Sequence, residues 1–273
     1  MPPELPRLHQ RYWPRGTDEP VATLLCVHGL GEHSGRYERL AAAVCAAGID
    51  VLAVDLVGHG RSEGPEGHIR GFEQDHFRVV EELLAGADEA GLPGPRVLLG
   101  HSLGGLIAMR WVQEQADAGP VRGLALMSPW IESRMPVPSW KRWAARVVSG
   151  FLPGFSLLTG IKDEELFRDF LEVADYGADP LVRRRISAGH WVAVEANQRL
   201  VVANARSVGV PTLLQVAGDD RIVSTPASLA VAAELPDVTV HEYNDAFHAL
   251  HADSDSDLVF ADLISWVKDR VAA

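Results

Sequence analysis

Gly100-His101-Ser102-Leu103-Gly104 is the segment of this sequence best suited to covalent chemistry. It fits Gly-x-Ser-x-Gly, in which a serine is held on a sharp strand-to-helix turn with its hydroxyl exposed. The context is the required one: the apolar run Arg96–Leu99 reads as a strand, and Gly104–Gln115 reads as a helix. The flanking glycines are needed because side chains there would collide with the neighbouring strand and helix. A serine hydroxyl is a weak nucleophile until a base takes its proton. On this scaffold the partners follow in the order Ser, then Asp or Glu, then His.

Of eleven histidines, His190, His241, His248 and His251 follow Ser102. His241 falls inside an apolar strand and His190 in a helical stretch. His248 lies in Asn244–Leu250, a loop leaving the last strand at the sheet edge where α/β active sites sit. It is chosen as the base over His251. Gly218-Asp219-Asp220-Arg221 follows another strand at the same edge. Asp220 is taken as the acid that orients the imidazole, and Asp219 reads as a turn residue. The oxyanion of an acyl-transfer reaction needs two preorganised N–H donors. Leu103, which follows the serine, supplies one, and Leu30 in His28-Gly29-Leu30-Gly31 is the candidate for the other. His28 reads as a loop-bracing residue. Asp55–Ser62 is glycine-rich but lacks a dinucleotide fingerprint. No His/Cys/Asp/Glu cluster has zinc-ligand spacing, so neither a metal nor an organic cofactor is expected.

These residues must be positioned by a framework. Short continuous apolar runs at Val21–Val27, Ile49–Asp55, Arg96–Leu99, Val121–Met127, Val210–Val216 and Val238–Tyr243 predict strands covered on both faces, hence a parallel sheet. Leu8–Trp13 could add an antiparallel edge strand. Helical patterns alternate with them at Tyr37–Ala47, Gln74–Ala90, Gly104–Gln115, Pro226–Leu235 and Asp257–Val271. This is the rhythm of a doubly wound α/β domain. Residues 131–204 break it. Short helices are expected there at Trp140–Val148, Phe151–Leu158, Lys162–Leu171, Asp179–Ile186 and His190–Asn204. The expected division is a core of residues 1–130 and 205–273 with a helical insertion between. Trp140, Trp143, Phe151, Phe155, Leu157, Leu158 and Ile161 give the insertion enough apolar surface to dock on the core, to line a pocket or to touch lipid.

The chain has 273 residues, with 25 Lys+Arg against 37 Asp+Glu and a net charge of −12. That balance disfavours nucleic acid, which needs clustered cations, and leaves only apolar contact with a membrane. Cys26 and Cys45 both lie in apolar runs and read as buried free thiols. Met1–Arg11 lacks a signal-peptide core and no run approaches the roughly 20 residues of a spanning helix, so a cytoplasmic protein is expected.

Several strings carry a resemblance that reaches nearly end to end. They are Arg11–Gly16, His28-Gly29-Leu30-Gly31-Glu32-His33-Ser34-Gly35-Arg36-Tyr37, Asp55–Gly64, Gly100–Gly105, Ser128-Pro129, Tyr176–Leu181 and His248-Ala249-Leu250-His251. The sequence resembles the α/β-hydrolase superfamily and, within it, the monoacylglycerol lipase family, grouped with serine aminopeptidase-like hydrolases. The resemblance implies a mostly parallel central sheet with helices on both faces and a helical cap inserted after the sixth strand. It implies Ser102, Asp220 and His248 as a triad, with Leu30 and Leu103 as oxyanion donors. It also implies a polar pocket for the glycerol end of the substrate, mapping to Glu32, Arg36, Tyr176 and His251. The expected substrate is a small lipid ester, a monoacylglycerol, with transient membrane contact through the cap. Arg183-Arg184-Arg185 and His190-Trp191 depart from the family pattern. Lysophospholipase, carboxylesterase, thioesterase or aminopeptidase-like activity, and a catalytically silent binding module, are the alternatives. An Asp-nucleophile dehalogenase or epoxide hydrolase is disfavoured by Ser102. Acyl length and oligomeric state are not written in the sequence.

Overall fold

The computed structural model describes residues 5–115, 119–134 and 137–271. Its main sheet is built from β1 (Gln10–Trp13), β2 (Ala22–Val27), β3 (Ile49–Val54), β4 (Arg96–His101) and β5 (Gly123–Met127). After the insertion, which contains β6 (Ser156–Leu158) and β7 (Arg185–Ser187), come β8 (Thr212–Ala217) and β9 (Val238–Tyr243). The strand order is β1-β3-β2-β4-β5-β8-β9. All pairs are parallel except β1 with β3, where Gln10 faces Val54 and Trp13 faces Val51.

Every residue of β2, β3, β5 and β8 is buried, because alternate side chains serve opposite faces of the sheet. On one face Leu25, Val27, Leu52 and Leu98 pack with α2 (Arg78–Glu89) and α3 (Leu103–Gln113). On the other, Leu24, Cys26, Val51 and Leu99 pack with α1 (Glu38–Ala46) and the C-terminal helix Ser256–Trp266. Cys26 and Cys45 are buried and unpaired. The six parallel strands and the antiparallel edge strand are those expected from the sequence.

The insertion differs from expectation in three ways. It follows the fifth strand of the sheet, not the sixth. Among the described residues a single edge strand precedes β2, and residues 7 and 9 ahead of it bond instead to the loop after β3, Glu63 N–H to Arg7 O and Asp55 N–H to His9 O (2.9 Å each). The helices expected at Phe151–Leu158 and Asp179–Ile186 are absent. In their place β6 and β7 form an antiparallel pair with Leu157 opposite Ile186. Pro153-Gly154 and Pro180 interrupt helical geometry there, and the Arg185 guanidinium donates to Ser156 O (2.7 Å) across the pair. The stretch expected as one helix over Lys162–Leu171 splits into α5 (Asp163–Leu166) and α6 (Phe170–Ala178), with Asp169 capping the Leu171 N–H (2.8 Å). The flanking helices α4 (Ser139–Phe151) and α7 (Ala188–Ala203) form as expected.

Candidate active site

Ser102 occupies the step between β4 and α3 with φ 52° and ψ −115°, a conformation that L-residues rarely adopt. Its backbone is tied on both sides. The N–H donates to Met127 O (3.0 Å), and the carbonyl accepts from Leu106 (3.1 Å) and Trp130 (2.9 Å). The turn closes this tightly because Gly104 lies against the Val27 and His28 carbonyls, where a Cβ would collide with both. Leu103 is the first residue of α3, so its N–H lies outside the helical ladder and is available to a ligand.

Asp220 and His248 stand on the loops after β8 and β9. Asp220 Oδ2 accepts from His248 Nδ1 at 2.8 Å. Its Oδ1 accepts from the Ile222 and Val223 N–H groups, both at 2.8 Å. Burial alone would raise this carboxyl, but the His248 imidazole and the two N–H groups outweigh it and hold it below its usual range. With Nδ1 occupied, His248 offers Nε2 to a cavity of about 40 Å³ that it lines together with Ser102, Leu30, Glu32 and Tyr176. The neighbouring Asp219 is at the surface with Arg134 and Arg221. His241 is also peripheral, 3.1 Å from Asp262. His28 braces the loop, its Nε2 accepting from Leu56 N–H (2.9 Å).

The four residues expected in a polar pocket occupy two layers. Glu32 and Tyr176 line the cavity. His251 stands behind Glu32, 3.5 Å from its Oε2, and stacks on Tyr37 with ring centroids 4.5 Å apart. Arg36 stands behind Tyr176, its guanidinium 5.4 Å from the ring centroid, and is ion-paired with Asp175 and Glu172. Glu32 also meets His101, Oε1 to Nδ1 at 2.8 Å. Burial would raise the Glu32 carboxyl, yet the His101 and His251 imidazoles drive it far below its usual range. Burial likewise opposes charge on His101, and Glu32 reverses that and raises its pKa. His251 is held neutral by burial, pushed down to about 3. Glu32, His101 and His251 present ligand atoms within 4.8 Å of one another, the spacing of a metal site. Here Glu32 and His101 engage each other and His101 Nε2 is 3.2 Å from His248 O.

The comparisons with known proteins follow the same lines. A family model described as serine aminopeptidase, S33 (Hydrolase_4) matches residues 18–255. The chain belongs to this family. It is therefore an α/β-hydrolase of the lipase and esterase type. It is 35% identical over 275 residues to the human protein named monoglyceride lipase, covering 96% of this chain and 87% of that one. It is 30% identical to an uncharacterized abhydrolase domain-containing protein of Dictyostelium discoideum, over 93% of this chain but only 27% of that much longer one. The crystal structure of the Paleococcus ferrophilus monoacylglycerol lipase superposes with a TM-score of 0.86 at 30% identity, covering 96% of this chain and 98% of that one.

Several cavity residues of this S33-family site were not singled out from the sequence. Arg184 forms a two-pronged ion pair with Asp163 (2.6 and 2.9 Å) at the cavity wall, and Arg183 lines it beside them. Thr159, Trp130 and Ile222, with Ile161 from the apolar set named above, lead from the cavity into a second space of about 190 Å³. Trp191 and Ile186 connect that space to an apolar groove of about 520 Å³ bounded by Trp140, Phe155, Leu157 and Leu158. The Arg183–Arg185 run and Trp191 were visible as departures from the family pattern, but their spacing carried no sign of what they face.

Proposed function

We propose that this chain is a monoacylglycerol lipase in which Ser102 is the nucleophile, His248 the base and Asp220 its orienting acid. Residues 131–204 act as a cap over a core of residues 1–130 and 205–273. Ser102 Oγ attacks the acyl carbonyl as His248 Nε2 takes its proton. The tetrahedral oxyanion rests on the N–H groups of Leu30 and Leu103. His248 then protonates the departing glycerol, and water repeats the sequence to free the fatty acid. Glu32 and Tyr176 meet the glycerol hydroxyls, with His251 and Arg36 holding them in place from behind.

The observation that carries this reading is an asymmetry about Ser102. On one side the cavity ends against Glu32, Tyr176 and the Arg184–Asp163 pair, a space for a small polar head. On the other an apolar route runs under the insertion to the groove at Trp140 and Leu158. A single acyl chain on glycerol matches both ends. Arg183, free of any carboxylate among the described residues, favours a second reading, a lysophospholipid whose phosphate it would meet.

The cap also bears a cluster of exposed apolar side chains, including Trp143 (67% exposed) and Phe151 (83%) on α4. We infer that this face touches the lipid surface that supplies the substrate. No described helix is long and apolar enough to cross a membrane. The two unpaired cysteines fit a reducing, cytoplasmic compartment.

The test is a panel of purified substrates sharing one acyl chain: monoacylglycerol, diacylglycerol, lysophospholipid, acyl thioester and aminoacyl amide. The expected result is the highest kcat/KM on monoacylglycerol, with turnover lost in Ser102→Ala by several orders of magnitude. Tenfold better turnover of lysophospholipid or amide would overturn the substrate assignment. Undiminished turnover in Ser102→Ala would overturn the nucleophile.

A further inference from the structure

His76 and His190 lie outside the chemistry described above. His76 belongs to the turn of π-helix at Phe72–Phe77 that leads into α2 of the core. His190 is in the first turn of α7, in the insertion. Both side chains are fully buried, and their Nε2 atoms face each other at 3.0 Å. His190 Nδ1 is 3.2 Å from Gly67 O, which can only accept, so Nδ1 carries the proton. The Nε2 of neutral His190 is therefore an acceptor, and His76 Nε2–H donates to it. His76 Nδ1 is then bare, and it has no partner among the described residues. The arrangement satisfies one state only, two neutral rings of opposite tautomer.

A proton added to His190 would set N–H against N–H across 3.0 Å or, if His76 changes tautomer to accept it, place a proton on the partnerless His76 Nδ1. A proton added to His76 Nδ1 would bury an unpartnered charged donor. The Gly67 carbonyl and Asp75 favour charge on His190, but burial outweighs them. The core presents His28, His59 and His68 to the pair, and Asp75 is turned toward Arg70 (Oδ1 to Nε, 2.9 Å). Asp55, farther along, is engaged by the Ser34 and Arg61 N–H groups (2.7 and 2.8 Å).

The pair also sits where the insertion is fastened down. Gly67 O accepts from Ser187 N–H (2.8 Å) as well as facing His190, and His68 Nδ1 is 3.0 Å from Ser187 Oγ. Arg183 and Arg184, which wall the Ser102 cavity, lie only a few residues before this clasp.

We propose that His76 and His190 form an acid-sensitive latch between insertion and core, closed when both imidazoles are neutral and released when either is protonated. Release frees the β7–α7 junction from Gly67 and loosens the wall that carries Arg183 and Arg184. The sense of the effect follows from linkage. Burial and the neighbouring imidazoles lower both pKa values, His190 to about 4 from an ordinary 6.5. The open form thus binds more protons than the closed form as pH falls below 6.5, and the closed form loses ground there. At pH 5.5 this amounts to roughly tenfold per imidazole, against almost nothing at pH 7.5.

The latch rests on residues 131–204 acting as a cap, but its test does not use the hydrolytic reaction. Hydrogen exchange of the intact protein is followed by mass spectrometry between pH 7.5 and 5.5, corrected for intrinsic exchange. Peptides covering residues 185–200 should lose protection by at least about tenfold at pH 5.5, while α3 stays protected. In H76L/H190L the loss should disappear, although His28, His59 and His68 remain. If that double variant does not fold, H190Q serves. Its neutral amide can still donate to Gly67 O, and it should reduce the pH response by roughly the share of one imidazole. Wild-type protection that is flat with pH, or an undiminished response in the variant that folds, would overturn the latch. Failure of the substrate panel alone would leave the exchange result standing.

Discussion

Glu32 Oε1 lies 2.8 Å from Nδ1 of His101, the residue immediately before Ser102. His101 Nε2 in turn is 3.2 Å from the carbonyl oxygen of His248. Both neighbours of the imidazole are acceptors, which favours its charged form. The loop after β2, the turn after β4 and the loop after β9 are thereby joined through one buried imidazole.

The pair makes stability pH-dependent in a defined window. Glu32, whose carboxyl is depressed, contributes above its ordinary 4.5, and this is lost as acid protonates it. His101, whose imidazole is raised, contributes fully below its ordinary 6.5, and this is lost as pH rises through its folded value. Glu32→Gln should therefore cost most between pH 4.5 and 6.5. The expected loss is about 2 kcal/mol, or roughly 4–8 °C in Tm for a chain of this size. Calorimetry across pH checks it. A difference in Tm that is constant with pH would remove the imidazolium from the account.

Asp220→Asn should lower kcat by about 10⁴-fold with little change in fold, the scale found when the acid of a Ser-His-Asp triad is replaced by its amide. The reason is local. Oδ1 is committed to the Ile222 and Val223 N–H groups, so the amide nitrogen must face His248 Nδ1 and impose the wrong tautomer. Steady-state kinetics on a soluble ester, with circular dichroism as the control for folding, decides it. Asp219→Asn, altering only the surface contacts with Arg134 and Arg221, should leave kcat within about twofold.

Gly104→Ala should be poorly tolerated. A Cβ at this position meets the carbonyls of both Val27 and His28, so β2 and α3 must separate at the point where the Ser102 turn is clamped. A loss of about 1–3 kcal/mol or more is expected, measured by chemical denaturation. Activity should fall further than stability, because the displaced loop also carries Leu30. Gly150→Ala, where a Cβ meets nothing within 4 Å, is the matched control.

The framework was legible because its strands are buried on both faces. Val21–Val27 and Val210–Val216 have no polar alternation to confuse with a helix stripe. The residues chosen for chemistry were legible because each follows a strand at its C-terminal end: Ser102 after β4, Asp220 after β8, His248 after β9. What the sequence concealed is of a different kind. The three-residue strands β6 and β7 are shorter than any periodicity, and their pairing is set by partners about thirty residues away. That Arg36 supports Tyr176 from behind, and that His101 joins Glu32 to the His248 loop, depends on contacts spanning 140 and 69 positions. No local pattern records such contacts. The resemblance to a known family named Glu32, Arg36, Tyr176 and His251 together, and geometry separates them into two residues that line the cavity and two that stand behind those.

The exposed face of α4 gives the last prediction. Trp140 and Trp143 are each 67% exposed and Phe151 is 83% exposed, with Lys141, Arg142 and Arg146 on the same helix. α4 has no buried residue, so these side chains do little for the core. Arg142 (2.8 Å) and Arg146 (3.7 Å) instead reach Glu195 on α7 and fix the helix to the rest of the insertion. Trp143→Ser/Phe151→Ser should leave Tm and turnover of a short soluble ester unchanged. Trp143 and Phe151 are outside the groove that Trp140 bounds. Association with vesicles should weaken by roughly tenfold or more, since each large apolar side chain moved out of water contributes about 1.5–3 kcal/mol. Hydrolysis of monoacylglycerol presented in the vesicle should fall in parallel. Co-sedimentation with vesicles, neutral lipid first because the chain carries a net charge of −12, is the measurement. Unchanged binding by the double variant would assign this face some other role, and turnover of the soluble ester reduced as much as that of the vesicle substrate would show that the substitutions had disturbed the site itself.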